Sequence, residues 1–180
     1  MHYREIDYRK DWMRELFIAL NQSFVNIQEK IDTINWYDGL FAKEQIETVL
    51  GIAFVAAQTY ITGTISDIRA IKKEAAKRNK FEFLSIGELH TEKQVTKILV
   101  VDSIANYYKH NEEWDGWKIN RKNRKTIETL KVFGITDKTE FPCYEAATML
   151  WSEMEMNNLN NLLNILVNWR EKILIEMIHT

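Results

Sequence analysis

The sequence predicts an all-α fold, a single antiparallel bundle of about five main helices that takes residues 1–180 as one domain. Three observations predict it. One proline and six glycines in 180 residues leave too little turn chemistry for a many-stranded fold. A hydrophobic share of 46%, with 12% aromatic, suits one substantial core and is short for two. Apolar residues also recur at three- and four-residue steps through most of the chain, the period of helices that bury one face.

The first helix is expected over residues 7–32, where Trp12, Leu16, Leu20, Phe24, Ile27 and Ile31 supply the apolar line. Trp36, Tyr37, Asp38 and Gly39 then make a turn, and a second helix is expected over residues 40–78. Within it, residues 48–66 carry no charge and are about as long as a bilayer-crossing helix. Gln58 and the threonines dilute that apolarity, so the segment reads as the central helix of a bundle, buried on most sides. Gly51, Ala53, Ala56, Ala57 and Gly63 keep its middle thin enough for neighbours to come close.

Residues 79–90 mix Phe81, Phe83, Leu84 and Ile86 with Gly87 and read as a loop tucking aromatics under the bundle end; a short strand also fits. Thr91 and Gln94 have the spacing of a capping box and mark the start of the third helix. That helix is expected to fray after His110, with Trp114 and Trp117 folding back to fasten the loop. A fourth helix is expected over residues 121–133, stopped by Gly134 as a left-handed cap. Phe141 and Pro142 open the last helical region, since proline is tolerated in a first turn. From Leu159 onward, Leu162, Leu163, Leu166, Trp169, Ile173 and Met177 form an amphipathic stripe. It either continues the helix begun at Pro142 or follows a break at residues 154–158.

The net charge of −2 and pI near 6.1 argue against a protein held on DNA or anionic membranes by overall charge. Lone Cys143 makes no internal disulfide, and Met1-His2-Tyr3-Arg4-Glu5 is too polar for a secretion signal, so a cytoplasmic address is expected. His2, His90, His110 and His179 are dispersed without metal-binding spacing, and no glycine-rich phosphate loop occurs; neither metal nor cofactor is expected. Cys143 has no recognisable base beside it and reads as packing.

Chemistry is concentrated on the third helix. Asp102, Asn106 and His110 stand at four-residue spacing on one face, among the apolar residues Val95, Ile98, Leu99, Val101, Ile104 and Tyr108. His110 can exchange a proton near neutral pH, Asn106 can hold a carbonyl or phosphate oxygen, and Asp102 can orient or charge the imidazole. Such a ladder is a candidate catalytic site, expected to face inward or into a cleft. It is equally what a satisfied polar stripe on a core-lining helix looks like.

The Asn-x-x-x-His pattern of Asn106 and His110, late in a mid-chain helix, resembles the HEPN superfamily of helical bundles. In the members that cut RNA, an arginine stands a turn or more before the histidine, and here that place holds Ala105. Arginine's fork of donors is what would neutralise a phosphate in the transition state. The resemblance therefore implies a degenerate, non-catalytic binding or interaction module, with pairing into a homo-oligomer. The alternative it leaves is a metal-independent ribonuclease using His110 with an arginine supplied from elsewhere or by a second subunit.

Two basic clusters complete the reading. Arg69, Lys72, Lys73, Lys77, Arg78 and Lys80 close the second helix, where positive charge complements the macrodipole. Lys118, Arg121, Lys122, Arg124 and Lys125 open the fourth, where the dipole disfavours cations. Either Glu112, Glu113 and Asp115 neutralise this second cluster across the turn, or it binds an anion such as an RNA backbone, with Trp114 or Trp117 for stacking. The partners expected are thus a second copy or another protein, or RNA or a similar anion, and no membrane.

Overall fold

The computed structural model describes residues 7–90, 92–114 and 117–178. Its first helix, α1 (Tyr8–Thr33), starts at the cap Asp7, whose carboxylate accepts from the Lys10 N–H at 3.3 Å. The buried face differs from the expected one in the first half of the helix. Met13 and Phe17 are buried, whereas Trp12 is 68% exposed and Leu16 and Ile31 lie at the surface. The reason is periodicity: Met13, Phe17, Leu20, Phe24 and Ile27 alternate steps of four and three and so hold one face. A line through Trp12, Leu16 and Leu20 advances by four each time and drifts around the helix.

Asp38 caps α2 (Gly39–Ile71) by accepting from the Phe41 N–H at 2.9 Å. The helix stops short of residue 78. Lys72 is extended, and Lys73–Ala76 is a separate turn, α3, that buries Ala75. α2 is the spine of the bundle and touches α1, α5 (Lys97–His110), α7 (Pro142–Leu150) and α8 (Asn160–Ile178). Among the described helices it alone is long and apolar enough to cross a membrane, and 61% of that window is buried in the fold, as in a core helix. Its thin middle has a specific use. The ring of Tyr108 on α5 lies where a side chain at Gly51 would be.

A short helix, α4 (Lys80–Leu84), stands where a loop was expected. Asn79 and Glu82 close it reciprocally: Asn79 Oδ1 accepts from the Glu82 N–H at 3.2 Å, and the Glu82 carboxylate from the Asn79 N–H at 2.7 Å. Phe83 and Leu84 tuck under the bundle as expected, while Phe81 faces outward. The strand option reduces to one bridge between Leu89 and Thr96.

The cap of α5 (Lys97–His110) is Thr96, a correction to the expected pair Thr91 and Gln94. Thr96 Oγ1 accepts from the Leu99 N–H at 3.3 Å and donates to the Leu84 carbonyl at 2.5 Å, so one hydroxyl caps α5 and ties it to α4. Gln94 precedes the helix in a left-handed conformation, φ 53°, and Thr91 lies outside the described residues. α5 ends at His110 and unwinds into a 3₁₀ turn at residues 111–113, as expected.

α6 (Arg124–Val132) begins later than expected and is stopped by Gly134, whose φ of 85° is the left-handed cap. Pro142 occupies the first turn of α7 (Pro142–Leu150). An irregular stretch then separates it from α8 (Asn160–Ile178), which decides the open choice in favour of a break. On α8 the stripe of Leu162, Leu163, Leu166, Trp169 and Ile173 is buried; the Met177 side chain lies outside the described residues. Asn164, Asn168, Glu171 and Lys172 face solvent. Exposed apolar side chains occur on α8 at Ile175 and on α1 at Tyr8, Trp12 and Ile18.

Candidate functional site

The polar ladder runs from the core to the surface and divides on the way. Asp102 is 6% exposed, Asn106 is half-buried, and the His110 side chain is 45% exposed. Gln58 of α2, itself buried, meets the inner two rungs. Its Nε2 donates to Asp102 Oδ1 at 2.7 Å, to the Asp102 carbonyl at 3.2 Å and to Asn106 Oδ1 at 3.0 Å. Lys109 donates to Gln58 Oε1 from the other side. Lys80, at the start of α4, places its ammonium 2.5 Å from Asp102 Oδ1, and Asn106 Nδ2 reaches Asp102 Oδ2 at 3.4 Å.

Asp102 and Asn106 are thus engaged in a closed network of three helices. His110 stands apart from it: Nδ1 lies 3.3 Å from Glu113 Oε2 in the following turn. Among the described residues, no arginine contacts Asp102, Asn106 or His110. What the arrangement does chemically is compensate a buried carboxylate with an ammonium and an amide. Sequence reasoning missed Gln58 and Lys80 as its partners. The available signal was Gln58 itself, the one amide in an uncharged helical run.

A second carboxylate, half-buried, serves the fold. Glu47 of α2 accepts from the Cys143 and Tyr144 N–H groups, each at 2.8 Å, at the start of α7, where Phe141 provides no side-chain cap. Burial raises the Glu47 pKa above its ordinary 4.5, and the two N–H donors pull it back in part. Burial likewise raises the Cys143 thiol pKa well above its ordinary value, with Glu47 adding to the shift, as fits packing rather than nucleophilic work.

The sign of this shift makes a prediction. A carboxyl whose folded pKa is raised contributes stability below about pH 4.5 and loses it as pH rises through the raised value. Glu47→Gln removes the titration. Urea midpoints of the two proteins across that window should show the wild type losing ground to the variant as pH rises; a constant difference would refute the shift.

The basic turn ahead of α6 is built by two asparagines. Asn120 Oδ1 accepts from the Lys122 and Asn123 N–H groups at 2.8 and 3.1 Å, and Asn123 Oδ1 accepts from the Asn120 N–H at 2.7 Å. Asn123 Nδ2 also holds the Lys118 carbonyl at 3.0 Å. Because the Arg124 N–H donates to the Asn120 carbonyl at 3.0 Å, helical winding begins before α6 proper, and Arg121 lies one turn ahead of Lys125.

Lys118, Arg121, Lys122, Arg124 and Lys125 are all exposed. Arg121, Lys122 and Arg124 make no ion pair among the described residues, Lys118 is engaged, and Lys125 lies 4.3 Å from the Phe81 ring centre. Of the acids expected to neutralise the cluster, Glu113 pairs with His110, and Asp115 lies outside the described residues. Trp114 and Trp117 pack on Tyr107, with ring centres 5.8 and 5.7 Å away, which is the fastening role expected of them.

Comparison with known proteins finds no matching family model, no matching curated protein and no matching solved structure.

Proposed function

We propose that this chain is a non-catalytic, HEPN-like binding module of the cytoplasm that holds single-stranded RNA at the basic turn ahead of α6. The observation that carries the reading is the set Arg121, Lys122 and Arg124, exposed together without an ion pair among the described residues. The first turn of α6 holds no acidic residue, so the helix N-terminus adds to their positive potential. Three cations crowded against a like-signed helix end are destabilised until an anion arrives, and a phosphate chain supplies anions at the right density. Cleavage centred on His110 is the weaker reading, because the neighbouring Asp102 and Asn106 are engaged with Gln58 and Lys80.

Fluorescence anisotropy of a labelled uridine oligonucleotide tests the proposal. Affinity should fall steeply between about 50 and about 200 mM salt, with a log–log slope of about −0.7 for each phosphate contacted. Replacing Arg121, Lys122 and Arg124 together by alanine should flatten that slope by about 2. The RNA should remain intact. Absence of binding at low salt, or binding indifferent to the triple replacement, overturns the site. Metal-independent cleavage that disappears in His110→Ala overturns the non-catalytic part.

A further inference from the structure

An open groove of about 420 Å³ lies beside the basic turn, between α4, the segment leading into α5, and α6. That volume falls in the range of about 300–1,000 Å³ typical of small-ligand sites. Phe81, Leu89 and Val132 form exposed apolar walls, at 39%, 47% and 48% exposure. Gln94, Glu128 and Thr129 place amide, carboxylate and hydroxyl groups around them. Lys125 bridges the two regions, for it follows Arg121 by one helical turn and lies over the ring of Phe81.

We propose that this groove is a nucleobase site, in which Lys125 leaves the Phe81 ring for a phosphate and one base of a bound single strand stacks on the ring in its place, its phosphates following Arg121 and Lys125. The inference rests on the RNA-binding reading above and adds the part of the ligand that charge alone does not recognise. The occupant is argued from charge and chemistry together. The cations that lead into the groove call for a polyanion, whereas its walls are an aromatic ring and aliphatic surface flanked by hydrogen-bonding groups. A polynucleotide combines both: phosphates outside, and a flat apolar base with polar edges inside. Glu128 opposes a phosphate in the groove itself and can accept from a base N–H, which orients the base inward and the backbone outward.

The test compares a uridine oligonucleotide with an abasic ribose-phosphate oligomer of equal length, both read by anisotropy on the full chain. The wild type should prefer the uridine oligomer by about tenfold, the scale of one aromatic stack. Phe81→Leu keeps the groove apolar and should abolish the preference, bringing the two oligomers to equal affinity. Val132→Glu, on the exposed face of α6, places a second carboxylate in the groove and should weaken uridine binding more than abasic binding, a readout independent of Phe81. Equal affinity of the wild type for both oligomers, still lost on replacing Arg121, Lys122 and Arg124, overturns the base site and leaves the RNA-binding reading standing. If neither oligomer binds, both are overturned.

Discussion

Trp169→Ala is expected to destabilise the protein by about 3–5 kcal/mol, a large share of the about 5–15 kcal/mol that holds a domain of this kind together. Trp169 is 2% exposed and is the largest of the fully buried side chains. Its indole Nε1 donates to the Phe83 carbonyl at 3.1 Å, which ties α8 to α4. The alanine variant loses that bond and leaves a void that a close-packed interior does not fill. Trp169→Phe separates the two contributions. It retains most of the apolar volume, and the Phe83 carbonyl keeps the Ile86 N–H at 3.2 Å, so the loss should be nearer about 1–2 kcal/mol. Urea unfolding of both variants gives the comparison. If they lose equal amounts, the bond rather than the packing is what Trp169 supplies. The effect also reaches the groove, because Phe83 and Phe81 share α4, and a loosened α4 should reduce the preference for uridine over the abasic oligomer.

What was legible in the sequence is what local spacing encodes. The α8 stripe is read correctly because Leu162, Leu166, Trp169 and Ile173 hold one face without a competing line. On α1 two apolar lines lie side by side, and the spacing predicts the one through Trp12, which the core does not take. Thr91 and Gln94 satisfy the local pattern of a cap, yet the chain uses Thr96, because its hydroxyl also meets Leu84 across the turn. That second contact is invisible to a pattern along one helix.

The candidate site divides in the same way. The spacing of Asp102, Asn106 and His110 was visible, but Gln58 and Lys80, 44 and 22 residues from Asp102 in the chain, decide what the ladder does. Glu47 and Cys143 meet across 96 residues. The basic turn was legible as a charge cluster, whereas the groove beside it is assembled from α4, α6 and the segment between α4 and α5, and no local pattern announces it.

The second large effect is expected at Asp102, where a buried carboxylate holds an ammonium and an amide at once. Asp102→Ala should destabilise the protein by about 2–3 kcal/mol, the scale of hydrogen bonds to a charged group. The loss is not larger because the Lys80 side chain is 39% exposed and can turn its charge to water, while Gln58 keeps the Asp102 carbonyl and Asn106 Oδ1. Asp102→Asn retains an acceptor for Gln58 and removes the ion pair together with the long Asn106 Nδ2 contact, so it should lose less. Combining it with Lys80→Met closes a double-mutant cycle whose coupling, about 1 kcal/mol, measures the pair free of the amide contacts. The same variants separate frame from chemistry. Should Asp102 serve only to join α5 to α2 and α4, Asp102→Asn will bind the uridine oligonucleotide as the wild type does at a temperature where both are folded. A variant that keeps its stability and loses the oligonucleotide would instead make the ladder part of the binding surface, since a purely structural carboxylate has no route to affinity except through the fold it holds.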